Sequence, residues 1–150
     1  MSIEARCRVA DWVTEHHILM AIRHQVFVEE QGVPVELEGD EHDETATHFV
    51  VEVPDESTTR AIATGRLKPD GQIGRMAVLT EYRRSGIGSL LLTGILEHAD
   101  EHGLTDLYLH SQADATGFYA RHGFIESGES FMDAGIPHLA MLRFCAKKSV

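Results

Sequence analysis

At 150 residues the chain is the size of one domain with a full core, and its 43% hydrophobic and 25% charged residues suit a soluble globular protein. A formal net charge of −11 argues against non-specific binding to nucleic acid, and no apolar run is long enough to span a bilayer. Met1 to Arg6 contains no apolar signal core, which gives the expectation of a cytoplasmic protein, and two cysteines, Cys7 and Cys145, are too few for a disulfide framework and read as reduced thiols.

Ile3 to Val9 alternates imperfectly and predicts a first strand. Asp11 is placed to cap a helix whose apolar positions, Trp12, Ile18, Leu19, Ile22, Val26 and Phe27, recur near helical spacing; Gly32 and Pro34 end it. Glu36 to Glu44 reads as an acidic loop, its run Asp40 to Glu44 solvated and facing a substrate. His48 to Val53 is apolar and β-branched, and Pro54 to Ser57 reads as a turn. Ala61 to Leu67 and Gln72 to Leu79 are two further strands, joined by Pro69-Asp70-Gly71.

A loop from Thr80 to Ser85 leads into a helix from about Gly86 to Glu101, with a broad apolar face on Ile87, Leu91 and Ile95 and a stop at Gly103. Leu104 to His110 is a strand and Ala113 to His122 a short helix. Phe124 to Phe131 and His138 to Cys145 are closing strands, joined through Asp133 to Pro137. The order β-α-βββ-α-β-α-ββ predicts an α+β fold, a central mixed sheet flanked by helices, in a single domain over residues 1–150.

The segment Arg83-Arg84-Ser85-Gly86-Ile87-Gly88-Ser89 sets two cations and two glycines at the start of the long helix. Glycine lets a backbone approach closely, and a helix N-terminus offers unpaired N–H donors and partial positive charge, which suits a phosphate group. A P-loop is excluded because no lysine follows Gly88, and a dinucleotide fingerprint because its third glycine is missing. The remaining pattern, Arg/Gln-x-x-Gly-x-Gly/Ala, is met by Arg83, Gly86 and Gly88. It resembles the pyrophosphate loop of the GNAT (GCN5-related) N-acetyltransferases. The likeness extends through Met76-Ala77-Val78, which is similar to the family's fourth strand, and through Phe118-Tyr119-Ala120-Arg121-His122-Gly123-Phe124. Arg23, the run Val26 to Pro34, Glu36, Asp40 and Asp43 resemble the ElaA-like branch, as does Phe131 to His138.

The resemblance implies a GNAT-like acyl-CoA N-acyltransferase fold and direct acetyl transfer from acetyl-CoA, as co-substrate, to the amine of a small molecule or peptide. It implies cofactor contacts by Met76, Ala77, Val78, Arg83, Arg84, Ser85, Gly86, Ile87, Gly88, Ser89 and Phe118, and carbonyl polarisation by backbone N–H near Val78. Tyr119 is the candidate general acid, since a phenol is protonated at neutral pH. For the base, His110 at a strand end and Glu29 are candidates. Glu30, His48 or a water chain remain alternatives. The acidic residues suggest a cationic acceptor. A homodimer is implied by the family alone.

No metal is expected. His98 and His102 stand one turn apart without a His-Glu-x-x-His pattern, and Asp40 to Glu44 lacks calcium-loop spacing. The competing function is a non-catalytic acyl-CoA-binding or sensing module.

Overall fold

A computed structural model describes residues 4–144 of the chain. Seven strands form one sheet: β1 (Arg6–Ala10), β2 (Thr47–Asp55), β3 (Thr58–Leu67), β4 (Gln72–Val78), β5 (Asp106–Gln112), β6 (Ile125–Asp133) and β7 (Ile136–Phe144). Their order across the sheet is β1-β2-β3-β4-β5-β7-β6. Neighbours are antiparallel except β4 and β5, which run parallel. Helices α1 (Trp12–Arg23) and α2 (Val35–Glu38) follow β1, α3 (Ile87–Glu101) crosses from β4 to β5, and α4 (Thr116–Ala120) precedes β6.

Strand alternation decides which helix each side chain meets. Phe49 and Val51 of β2 lie in register with Gly65 and Ala63 of β3. This face receives α3; a Cβ at Gly65 would stand 3.1 Å from Ile95 Cδ1 and 3.5 Å from Leu91 Cδ2. Leu91, Leu92, Ile95 and Ala99 have no exposed surface, so the predicted apolar face of α3 forms the core. Full burial of one leucine or isoleucine is worth about 1.5–3 kcal/mol. Val50, out of phase by one, packs with Leu19 of α1 and Ala10 on the opposite face. There His48 stacks on Trp12 with ring centroids 4.1 Å apart. The mixed sheet with helices on both faces matches the expected fold class.

The face under α1 also holds a buried ionic cluster. Arg23 of α1 donates to both carboxylate oxygens of Asp43, at 2.9 and 3.2 Å. Arg66 of β3 donates to Asp43 at 2.8 Å and to Asp40 at 2.7 and 2.8 Å. Arg75 of β4 donates to Asp40 at 3.1 Å. Burial alone would raise the Asp43 carboxyl; Arg23 and Arg66 together outweigh it and hold it below the usual carboxylate range. The Arg66 hydrogen bonds hold Asp40 well below that range too.

This corrects the reading of Glu36 to Glu44 as an acidic loop, and of Asp40 to Glu44 within it as solvated and substrate-facing. The segment forms α2 and a 3₁₀ turn, Glu41–Glu44, capped by Asp40, which accepts from His42 N–H at 3.0 Å. Two of its acids are spent on arginines rather than turned to solvent.

Other boundaries differ by local physics. The predicted first helix ends as α1 at Arg23 and continues as a wider π-helical segment, His24–Glu30. β2 runs through Pro54 to Asp55, and the turn is only Glu56 and Ser57, with Glu56 at φ +54. α4 is shorter than Ala113 to His122. β7 begins at Ile136, because Ala134 and Gly135, at φ +50 and +77, turn the β6–β7 hairpin in two residues. Ile3 and Cys145 lie outside the described residues. Cys7 is half-buried, and burial, then Glu97, pushes its thiol up to about 11, consistent with a reduced packing residue.

Asp43→Ala leaves Arg23 and Arg66 buried without their shared anion. It should cost about 3–5 kcal/mol in urea unfolding. Because the folded-state pKa of Asp43 is depressed, its contribution is present above the unfolded value of about 3.9 and disappears as pH falls through the folded value. Denaturant midpoints measured from pH 6 downward should therefore fall in the wild type and stay flatter in the variant.

Candidate functional site

β4 and β5 pair at only two positions, Gln72 with Tyr108 and Ile73 with Leu109. Beyond them the strands part, and a cleft of about 780 Å³ opens, lined by Gly74 to Val78 on one side and His110 and Gln112 on the other. The register between β3 and β4 shifts between Thr64 and Arg66, where Arg75 adopts φ +49. Such a conformation in a non-glycine residue is strained and persists only where the surroundings hold it. The Asp40 carboxylate grips the Arg75 side chain. β4 pairs with β3 again at Ala77 and Val78 beyond the bulge, but not with β5, which leaves its β5-facing backbone groups free at the cleft wall.

The start of α3 closes one end of the cleft. Gly86 caps the helix at φ +84, a left-handed conformation natural to glycine. The first intrahelical bond runs from Leu90 N–H to Gly86 O at 3.0 Å. The N–H groups of Ile87, Gly88 and Ser89 therefore have no intrahelical acceptor. Arg84, Gly86, Gly88 and Ser89 line the cleft. Phe118 of α4 packs on Gly88, where a Cβ would stand 3.3 Å from Phe118 Cζ; any side chain at that position would crowd the helix start. Beside it, the Tyr119 hydroxyl donates to Met76 Sδ at 3.9 Å, and burial pushes its phenol up to about 12.

Charge in the cleft is opposite to charge on the chain as a whole. The described lining includes four arginines, Arg75, Arg83, Arg84 and Arg121, and one carboxylate, Asp133. A backbone-donor helix start with arginines beside a splayed strand pair is built for an elongated anionic ligand.

The sequence profile of the acetyltransferase (GNAT) domain matches residues 10–143. The chain belongs to the GNAT acetyltransferase family. It is 36% identical over 126 residues to the uncharacterized N-acetyltransferase YjcF of Bacillus subtilis (strain 168), covering 81% of this chain and 87% of that protein. Its structure superposes on an acyl-CoA N-acyltransferase from Pseudomonas aeruginosa with a TM-score of 0.78 at 28% identity, over 95% of this chain and 99% of the other. Against Escherichia coli ElaA the TM-score is 0.77 at 28% identity, over 94% and 99%. The chain is thus a transferase of the GNAT type, as the motif order implies.

On this GNAT fold, Met76, Ala77, Val78, Arg83, Arg84, Gly86, Gly88, Ser89, His110, Phe118 and Tyr119 all border the cleft. Ile87 is buried in the core, and the Ser85 hydroxyl donates to Tyr82 O, so neither turns a side chain to a ligand. Glu29 is not brought to the cleft: it is exposed, 3.7 Å from His24. His48 is buried on the α1 face, its Nε2 donating to Asp43 O at 2.8 Å, with burial lowering its pKa.

Glu30 has a different task from proton transfer. It accepts two hydrogen bonds from Arg83 and one from Thr80, and Arg83 keeps it ionised. Arg83 Nε also donates to Val78 O at 3.0 Å. The arginine of the loop is thereby turned toward the end of β4 and the π-helical segment. Three of the acids that suggested a cationic acceptor are therefore occupied, Glu30 by Arg83 and Asp40 and Asp43 by the buried cluster.

The sequence reading did not single out Arg75, Gln31 and Gln112. The two glutamines form an amide pair across the cleft, Gln112 Nε2 donating to Gln31 Oε1 at 3.0 Å. Eighty-one positions separate them, and no local pattern marks the contact.

Glu30 and Arg83 are each more than a third exposed, at 38% and 35%. A double-mutant cycle with Glu30→Gln and Arg83→Gln should give a coupling of under about 1 kcal/mol in urea unfolding, because solvent screens the pair.

Proposed function

We propose that this protein transfers an acetyl group from acetyl-CoA to an amine by direct attack within a ternary complex. The observation that carries the reading is the splay of β4 from β5 directly beside the N–H-rich start of α3. One ligand can lie along β4 with its pyrophosphate at α3 and its thioester at the splay. The family takes its acyl groups from acyl-CoA co-substrates and passes them to small-molecule or peptide amines. The pyrophosphate meets the N–H groups at Ile87, Gly88 and Ser89, with Arg84 supplying charge. Arg83 acts mainly by holding Val78 and Glu30 in place.

Backbone N–H groups of β4 near Val78 polarise the thioester carbonyl, an effect worth about 3 kcal/mol by analogy with other oxyanion holes. Tyr119 gives its proton to the leaving sulfur; with its phenol pushed up to about 12, it remains a donor throughout the physiological range. Much of the remaining acceleration comes from holding the amine against the thioester. The proton of the incoming ammonium passes to an imidazole on the β5–β7 wall, where His110 and His138 both border the cleft. With Glu30, Asp40 and Asp43 engaged by arginines, Asp133 is the one carboxylate in the described cleft lining, and the acceptor needs no extra cationic group. A small amine suits the cleft as well as a peptide does.

Thermal unfolding separates cofactor classes. Acetyl-CoA at about 100 times its Kd should stabilise the protein by about 2.7 kcal/mol, while ATP and NAD at the same concentration should leave the midpoint unmoved. Tyr119→Phe should lower kcat in a thiol-release assay by about 10²-fold or more while acetyl-CoA affinity stays within about twofold. Bound acetyl-CoA with no thiol release across a broad amine panel would identify a binding or sensing module instead of an enzyme.

A further inference from the structure

The β5–β7 wall presents two imidazoles to the cleft, and their surroundings differ. His138 Nδ1 lies 2.7 Å from Ile136 O, in the turn that opens β7. A carbonyl oxygen has no proton to give, so the ring must donate there and Nδ1 carries the hydrogen. In the neutral ring, Nε2 is then the free lone pair. Among the described residues Nε2 has no hydrogen-bond partner. The ring is further fixed by stacking on Phe131, with centroids 6.0 Å apart and planes at 26°. Its backbone is held in register opposite Gln112 of β5. His110 meets Phe131 edge-on at 5.1 Å, but among the described residues no backbone carbonyl selects its tautomer.

We infer that His138 is the general base of the acetyl transfer, an assignment that rests on the acetyltransferase reading above. Nε2 takes a proton from the acceptor ammonium, directly or through one water, and passes it to solvent. The freed amine lone pair forms the C–N bond as the thioester C–S bond breaks. The thiolate gains the Tyr119 proton, and Tyr119 recovers one from the nitrogen of the adduct through water. The nitrogen loses two protons in all, sulfur gains one, and one proton is released. The Nδ1–H bond to Ile136 O stabilises the transient imidazolium and keeps Nε2 aimed, the role that an orienting acceptor plays for any catalytic histidine. The charged and titratable groups sharing the cleft with His138 are His110 of β5, Asp133 at the end of β6, Arg75 of β4, Arg83 and Arg84 before α3, and Tyr119 and Arg121 at α4.

The test compares His138→Gln with His110→Gln in the full chain, using thiol release against pH and calorimetric binding of acetyl-CoA. His138→Gln should lower kcat/KM by about 10²-fold or more and abolish the loss of rate toward acid pH, with acetyl-CoA affinity within about twofold of wild type. His110→Gln should keep the acid limb. A His138→Gln enzyme that retains both rate and acid limb overturns the assignment, as does loss of the limb in His110→Gln alone. A long-range nitrogen–proton correlation spectrum of the wild-type imidazoles gives a readout independent of turnover: neutral His138 should show the Nδ1–H tautomer, and an Nε2–H tautomer overturns the proposal. A wild-type protein that binds acetyl-CoA and acetylates no amine would remove the acetyltransferase reading and the base with it.

Discussion

Two carboxylates, Asp40 and Asp43, tie together three arginines from three elements, and the opening of the sheet depends on that tie. Arg23 brings α1, Arg66 brings β3, and Arg75 brings the bulge of β4. Burying these charges is expensive, and multiple hydrogen bonds to each carboxylate are what make it tolerable. The cluster's contribution is geometric as much as energetic. It anchors a left-handed arginine in the middle of a strand, and the loss of β4–β5 pairing begins at that bulge. A continuous parallel pair would leave no cleft and no free backbone groups.

The same economy of charge organises the site itself. The chain carries −11 overall, yet the cleft is lined by arginines. Two acidic residues near it are turned onto cations, Glu30 onto Arg83 and Asp40 onto Arg75. This leaves Arg84 and the bare N–H groups of α3 as a local positive site on a chain whose outer field is negative. The Glu30–Arg83 pair also links the π-helical segment to the loop before α3, and Arg83 ties that loop to Val78 O at the end of β4.

Strands and helices were largely legible, because the alternation of β2 and the 3.6-residue spacing of α3 are imposed by burial on one face. The turn into α3 was legible for another reason: a left-handed residue at a helix start favours glycine, and Gly86 stands there at φ +84. The acidic stretch was misread because nothing local distinguishes a carboxylate facing water from one facing an arginine twenty or more positions away. Glu29 failed as a site residue on similar grounds. On one helical segment, adjacent residues point in different directions, and only the packing of that segment shows that Glu30 turns to Arg83 and Glu29 to His24.

The amino-acid sequence by itself determined the fold class, which follows from periodicity, and the family, whose motifs are runs of residues close together in the chain. The tertiary structure alone decided where the cleft lies, which acids are consumed by arginines, and which imidazole has its tautomer set. The first two depend on contacts across β3, β4 and α1. The third depends on the turn geometry that carries Ile136 O to His138 Nδ1. Distances of that kind are set by how elements pack and turn, and residue order does not encode them in any local pattern.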